Sequence, residues 1–260
     1  MAKLYMSENK FVSQFTVTEA VAVQQLKDAL PDILTEAFGA SDVQALWGVP
    51  LDNASDDERI KVVLVKFLRA RNMEIPVAKD MLINTLKWRK EFSADTVLDE
   101  QFDESTYGDK VGFLYKTDKE GRPVTYNFYG DIDQNKVFGD VDKFIRWRVA
   151  LMENGVKQID FINTDAMVQV HDYTGASLWG RTANTKEATN KLIKLMQDNY
   201  PEFLSNKIFG IPKWGSMIFK VLRPLLPEAT LKKFVICSCD ELKTTLLDYI
   251  NKEDLPPIYA

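Results

Sequence analysis

Apolar residues recur at helical spacing through the first hundred positions and at alternating spacing from about position 110 onward, which predicts a helical block followed by strands interleaved with helices. Residues 18–38 carry the helical period through Val21, Leu26, Leu30, Ile33 and Leu34, with Pro31 as a kink or junction and Gly39 as the stop. A loop through Trp47 and Pro50 leads to Asn53-Ala54-Ser55-Asp56-Asp57-Glu58, a helix-start signal with acidic residues in the first turn. Helices over 59–72 and 76–92 follow, the second with proline at an early helical position.

After an acidic connector the period changes. Strands are predicted over 112–116 and 124–129, joined by a turn at 117–123. Thr125, Asn127 and Tyr129 share one face of the second strand, where a plain core strand would be apolar. Helix 141–157 follows, then a strand over Met167-Val168-Gln169-Val170-His171-Asp172-Tyr173. Val168 and Val170 point to one side of it, and Met167, Gln169, His171 and Tyr173 to the other. Helix 185–198, a helix ending turned by proline at Tyr200-Pro201-Glu202, an apolar helix over 213–226, a strand over 233–237 and a helix over 241–251 complete an α/β alternation.

Three features carry candidate chemistry. His171 is the only histidine, and with Tyr173 two residues away both can address one bound object; the face reads either as a cavity wall or as a hydrogen-bonded pair in a half-buried sheet. Arg148 falls on the apolar side of helix 141–157, which calls for an acid partner in the core, an escape to solvent, or the anion of a ligand. Lys213, Ser216, Lys220 and Arg223 form a basic stripe on the apolar helix 213–226, fitting either a surface helix or one that visits a membrane.

Composition narrows the classes. The 260-residue chain has a net charge of −5, against nucleic acid as the default partner. With no secretory leader and no run of about 18 apolar residues, the chain is expected to be intracellular and not membrane-spanning. Cys237 and Cys239 are too close for an ordinary disulfide and too few for zinc, so they are expected as reduced thiols at a strand end. There is no Gly-rich phosphate loop, dinucleotide fingerprint, nucleophile elbow or paired-His metal motif, so catalysis by side chains alone is not expected.

The strings Lys66-Phe67-Leu68-Arg69-Ala70-Arg71, Trp88-Arg89-Lys90-Glu91-Phe92, Lys116-Thr117-Asp118-Lys119-Glu120-Gly121-Arg122-Pro123-Val124 and Tyr200-Pro201-Glu202 stand in the order in which they occur in the CRAL-TRIO lipid-exchange family, which the chain resembles from about Asp56 onward. Trp179 after His171-Asp172-Tyr173, with Val141-Asp142-Lys143-Phe144, Leu151-Met152-Glu153-Asn154-Gly155 and Asn127-Phe128-Tyr129-Gly130, resembles a fungal branch, the non-classical phosphatidylinositol transfer proteins of the fifth yeast Sec-fourteen homologue. The resemblance implies an α/β fold. A helical N-terminal module over 1–105 would precede a lipid-binding module over 106–260, with a mixed β-sheet flooring a deep pocket and a helical gate at 214–226.

It also implies two ligands. For phosphatidylinositol, the positions matching the family pattern are Arg71, Glu202, Thr230 and Lys233, with Asn72 where the family often has lysine. For haem b, the fungal branch implies Tyr173 as axial ligand of ferric iron, with His171 beside it and Tyr129, Arg148 and Lys207 as further contacts. Which ligand dominates stays open. The resemblance further implies a non-enzymatic monomer or weak dimer. It would be cytoplasmic, associate transiently with endoplasmic reticulum or microsomal membranes, and serve phosphoinositide homeostasis and the response to oxidants. A haem-dependent peroxide-consuming enzyme and a lipid-sensing adaptor without transfer activity are the alternatives; against the enzyme, no distal acid–base pair is evident, since His171 shares the strand face of Tyr173.

Overall fold

The computed structural model describes residues 9–177, 182–213, 215, 223–225 and 228–259, with backbone alone at 225, 229 and 230. The chain divides into two compact units. The first comprises residues up to Asp95 together with Ile159–Asp165 and Leu195–Glu202; the second comprises Thr96–Gln158, Ala166–Lys194 and the chain from Phe203 onward.

The first unit is built on α1 (Val17–Asp28), α2 (Leu30–Phe38), a two-strand pair of β1 (Ala45–Leu46) and β2 (Val49–Pro50), α3 (Arg59–Arg69) and α4 (Ile75–Phe92). Thr16 and Glu19 cap α1 reciprocally: the Thr16 hydroxyl accepts from the Glu19 N–H at 3.2 Å and the Glu19 carboxylate from the Thr16 N–H at 2.9 Å. Pro31 stands in the first turn of α2, where its missing N–H is no loss, so it marks a junction rather than a kink. Helix α3 stops at Arg69, three residues short of the expected end, as Asn72 and Met73 take left-handed φ of 51° and 65°. Lys66, 1% exposed, donates to the Asp165 carbonyl at 2.5 Å, the Asp165 carboxylate at 3.0 Å and the Glu202 carbonyl at 3.0 Å, and so ties all three segments of this unit together.

The second unit carries a five-stranded sheet. In chain order its elements are α5 (Glu104–Tyr107), β3 (Gly112–Thr117), β4 (Pro123–Phe128), α6 (Gln134–Phe138), α7 (Val141–Val156), β5 (Met167–Asp172), α8 (Ala183–Asn199, shared with the first unit), β6 (Leu204–Ile211), α9 (Glu228–Leu231), β7 (Phe234–Ser238) and α10 (Leu242–Tyr249). Spatial order follows chain order; β3 and β4 are antiparallel, and β4, β5, β6 and β7 run parallel. The β3–β4 turn is held by Asp118, whose carboxylate accepts from the N–H groups of Glu120 and Arg122 and from the Arg122 guanidinium.

Strand β6 was not expected from the sequence. Tyr200–Leu204 is not a helix ending: α8 stops at Asn199 and the strand starts at Leu204. Its side chains Ser205 and Lys207 break the apolar pattern that marks a buried parallel strand.

The two faces of the sheet are chemically distinct. One buries Val124, Tyr126, Val168, Val170 and Ile208 against Leu242, Leu246 and Ile250 from α10 and its end, and against Leu255 and Tyr259. Each such aliphatic side chain contributes about 1.5–3 kcal/mol on leaving water. The other face carries Thr125, Asn127, Gln169, His171, Lys207 and Phe209. Helix α7 lies on its β3–β5 part, closely because residue 155 is glycine: a Cβ there would stand 2.9 Å from the Met167 methyl. The β5–β7 part opens on a cavity.

Candidate functional site

The cavity measures about 380 Å³, within the range of small-molecule sites. Its walls are largely apolar, with Phe138, Phe144, Leu192, Ile193, Ile211 and Ile236 among them, and its polar side chains include Tyr129, His171, Tyr173 and Lys207. The cavity-wall alternative for the His171 face is therefore the one the fold adopts.

The backbone brings the two tyrosines together. The Tyr129 N–H donates to the Asp172 carbonyl and the Tyr173 N–H to the Gly210 carbonyl, both at 2.9 Å, so the ladder runs on past the ends of β4 and β5. At Gly130 the chain passes so near the Thr174 carbonyl that a Cβ would stand 1.6 Å from its oxygen. The Tyr129 ring consequently stands 5.6 Å from both the Tyr173 and the His171 rings, measured between centroids.

His171 is buried, and its Nε2 has no hydrogen-bond partner among the described residues. Burial first, then the Lys207 and Arg148 charges, push its pKa well below the usual imidazole range, so the ring is neutral at pH 7. The Tyr129 phenol is pushed up by burial, against the opposing pull of Arg148.

Arg148 projects from α7 and donates to the Asn127 amide oxygen, while the Asn127 amide N–H donates to the Val170 carbonyl at 3.0 Å. That second bond fixes which end of the amide faces the guanidinium. Among the described residues no carboxylate pairs with Arg148, and its Nε has no partner. It lies beneath the cavity wall rather than on it.

Lys207 lines the cavity with its ammonium 5.4 Å from the Phe209 ring centroid and 5.9 Å from that of Phe234. It makes no hydrogen bond or ion pair with the described residues, and the acid among the lining residues, Asp131, is exposed. Although Lys207 keeps some accessible surface, it lies deep among protein atoms because that surface is on the cavity wall; burial, then Arg148, hold its pKa down to about 7. Two buried cations without an acid are costly in a folded chain unless an anion joins them.

The other expected set is not gathered into this cavity. Arg71 and Glu202 lie in the first unit, where the Arg71 guanidinium donates to the Ala70 carbonyl at 2.9 Å and Glu202 takes a left-handed φ of 54°. Lys233 and Thr230 lie in the second unit; the Lys233 carbonyl accepts from the Lys207 N–H at 2.9 Å, and the Thr230 side chain lies outside the described residues. The expected gate at 214–226 and Trp179 also lie largely outside them. Phe209, which flanks the Lys207 amine together with Phe234 of the expected strand 233–237, was missed because β6 was. The signal was the period of two through Lys207, Phe209 and Ile211.

The CRAL/TRIO domain profile matches residues 107–259, and the CRAL/TRIO N-terminal domain profile residues 22–84. The chain belongs to the CRAL/TRIO family. A solved structure titled as the crystal structure of Sfh5 superposes with a TM-score of 0.78 at 30% identity, covering 88% of this chain and 82% of that one. "Phosphatidylinositol transfer protein SFH5" of Meyerozyma guilliermondii is 34% identical over 272 residues, 95% of this chain and 79% of that protein. Patellin-6 of Arabidopsis thaliana is 35% identical over 260 residues, 96% of this chain. The chain spans only 61% of Patellin-6 and 38% of Patellin-5 of the same plant. CRAL/TRIO proteins of plants thus match as well as the fungal ones, a likeness the fungal-branch strings did not reveal.

Proposed function

We propose that this CRAL/TRIO chain is a non-enzymatic carrier that binds phosphatidylinositol and exchanges it at membrane surfaces, and that its cavity takes haem b as an alternative or additional ligand. The observation that carries the reading is an apolar cavity with Lys207 on its wall and the buried Arg148 beneath it, neither of them paired with an acid among the described residues: a site shaped for an amphipathic anion. The name of the SFH5 relative supports phosphatidylinositol as one such ligand. Acyl chains entering the cavity would gain about 25 cal/mol per Å² buried, and release requires a membrane to compensate. The family resemblance assigns Arg71, Glu202, Thr230 and Lys233 to the headgroup, a chemistry in which the two cations would neutralise a phosphodiester and the carboxylate and hydroxyl would bond hydroxyls. Among the described residues no helix is long and apolar enough to cross a membrane, in keeping with peripheral contact.

The residues on the cavity wall fit haem b. Acyl chains alone would leave the Lys207 amine and the unpartnered His171 Nε2 unmatched, whereas a porphyrin carboxylate would answer Lys207 directly, with the Arg148 charge adding to the attraction from beneath the wall. Tyr173 would hold the iron by giving up its phenol proton, normally held to a pKa of about 10, and His171 and the Tyr129 phenol would support it by hydrogen bonding. Haem, when bound, supplies a ferric centre that an anionic oxygen ligand favours.

The visible spectrum of purified wild-type protein, read beside Tyr173→Phe and with organic extracts of both, tests the proposal. A haem band that weakens or shifts in the variant, with phosphatidylinositol in the extracts, is expected. No haem band in haem-replete protein removes the Tyr173 assignment. Liposome exchange unaffected by Arg71→Ala and Lys233→Ala removes the headgroup assignment, and lipid binding without exchange leaves an adaptor. Peroxide consumption above that of free haem would make the chain an enzyme.

A further inference from the structure

We infer that Lys207 is a covalent capture site for long-chain aldehydes, its amine forming a reversible imine with an apolar carbonyl compound that enters the cavity. The inference rests on reading the cavity as a ligand site and adds a reactive group to it. Three observations point to Lys207. Its nitrogen faces the cavity between the Phe209 and Phe234 rings, 5.4 and 5.9 Å from their centroids, so an aldehyde whose chain lies along the apolar wall brings its carbonyl to the amine. No carboxylate or carbonyl of the described residues holds it, unlike Lys191, which is paired with Glu187 and Asp142, or Lys61, paired with Glu58. Burial beside Arg148 also disfavours the ammonium form, so the lone pair is free in a large fraction of molecules at neutral pH.

The reaction balances without an oxidant or reductant. The amine lone pair attacks the carbonyl carbon, the C–N bond forms, and the C=O π electrons pass to oxygen, which takes a proton. The nitrogen gives up one proton, the hydroxyl leaves as water after protonation, C=N forms as the iminium, and loss of the remaining N–H proton gives the imine; water reverses every step. The titratable groups that share the cavity wall with Lys207 are His171 from β5, Tyr129 and Tyr173 beyond β4 and β5 and the exposed Asp131, and the Arg148 charge acts on the amine from beneath that wall. Of these the His171 imidazole, whose Nε2 has no partner among the described residues, and the Tyr129 phenol are groups that can donate and accept the protons. An anionic ligand would hold Lys207 as ammonium and block the reaction, so anion carriage and aldehyde capture are mutually exclusive states of one cavity.

Ligand-free full-length protein is incubated with dodecanal and cyanoborohydride, and adducts are mapped by peptide mass spectrometry. Dodecanol binding is measured in parallel by calorimetry. The dodecyl adduct is expected on Lys207 at least about tenfold faster than on Lys61 or Lys191, since an exposed lysine of pKa about 10.4 is almost wholly protonated at pH 7. The Lys207 rate should rise with pH to half its maximum near about 7, and vanish in Lys207→Arg. Dodecanol binding without preferential Lys207 labelling overturns the imine and leaves the carrier reading intact. Absence of both dodecanol binding and labelling overturns the two together.

Discussion

Replacing Lys207 with methionine should stabilise the ligand-free protein while weakening its hold on anions. The side chain keeps its length and apolar stem but loses a charge that the fold suppresses from an ordinary 10.5 to about 7. That difference, about 3.5 units at 1.36 kcal/mol each, sets an upper bound of about 5 kcal/mol on the destabilisation by the buried ammonium. Relaxation and water in the cavity reduce it, and a gain of about 2–4 kcal/mol for Lys207→Met at pH 7 is the expected result. The sign with pH follows from a folded pKa below the unfolded one. The penalty is present in full below pH 7 and fades as pH rises toward the unfolded value, because the unfolded chain keeps a proton the folded chain has shed. Between pH 7 and pH 9 the wild type should therefore recover about 2 kcal/mol relative to the variant. Urea unfolding of delipidated wild type and variant from pH 6 to 9 measures the gap. Binding of an amphipathic carboxylate should fall at least about tenfold in the variant, and in the wild type should weaken as pH rises above 7. A variant less stable than the wild type, or a gap that does not move with pH, would refute the electrostatic account of the cavity.

Three further substitutions probe the supports of the site. Gly130→Ala places a methyl where the Thr174 carbonyl already stands, so it should force apart the turns carrying Tyr129 and Tyr173, lowering stability by about 1–3 kcal/mol and ligand affinity with it, checked by thermal unfolding and ligand titration. Tyr259→Phe removes the hydroxyl that donates to the buried Asp172 carboxylate at 2.7 Å, and should cost about 1–3 kcal/mol in urea unfolding at pH 7. Lys66→Met strands the Asp165 carboxylate and the Glu202 carbonyl, for a loss of about 3 kcal/mol, and amide hydrogen exchange at 159–165 and 200–203 should rise with it.

The sequence was most legible where a residue's surroundings are set by its own element. Alternation through Val168, Gln169, Val170 and His171 placed the imidazole on one face and the valines on the other, and the fold agrees: Val168 and Val170 pack against α10 while His171 lines the cavity. The position of Arg148 on the apolar side of α7 was equally readable, because it depends only on helical spacing. Its partner was not. Among the described residues no acid in the core meets it, and it does not escape to solvent; the guanidinium meets the Asn127 amide, and β4 brings Asn127 there through the β4–β5 register that sets it opposite His171.

Strand β6 shows why long-range placement defeats a local reading. A central parallel strand is expected to be apolar on both faces, because helices cover both. In β6 one face meets α10 and is apolar at Ile208, but the other meets the cavity and carries Lys207, so the periodic signal is halved where the site needs a charge. The departure from strand-like sequence and the functional group are thus the same residue. Asn127, Gln169 and His171 repeat the pattern on β4 and β5: each is a poor core residue, and together they form the face that α7 and the cavity share. A sheet with one largely apolar face and one such mixed face binds its own helix on the first and leaves part of the second open to the cavity. In the proposed carrier, the ammonium form of Lys207 on that second face favours an anionic guest, and its neutral amine leaves the cavity to an uncharged one.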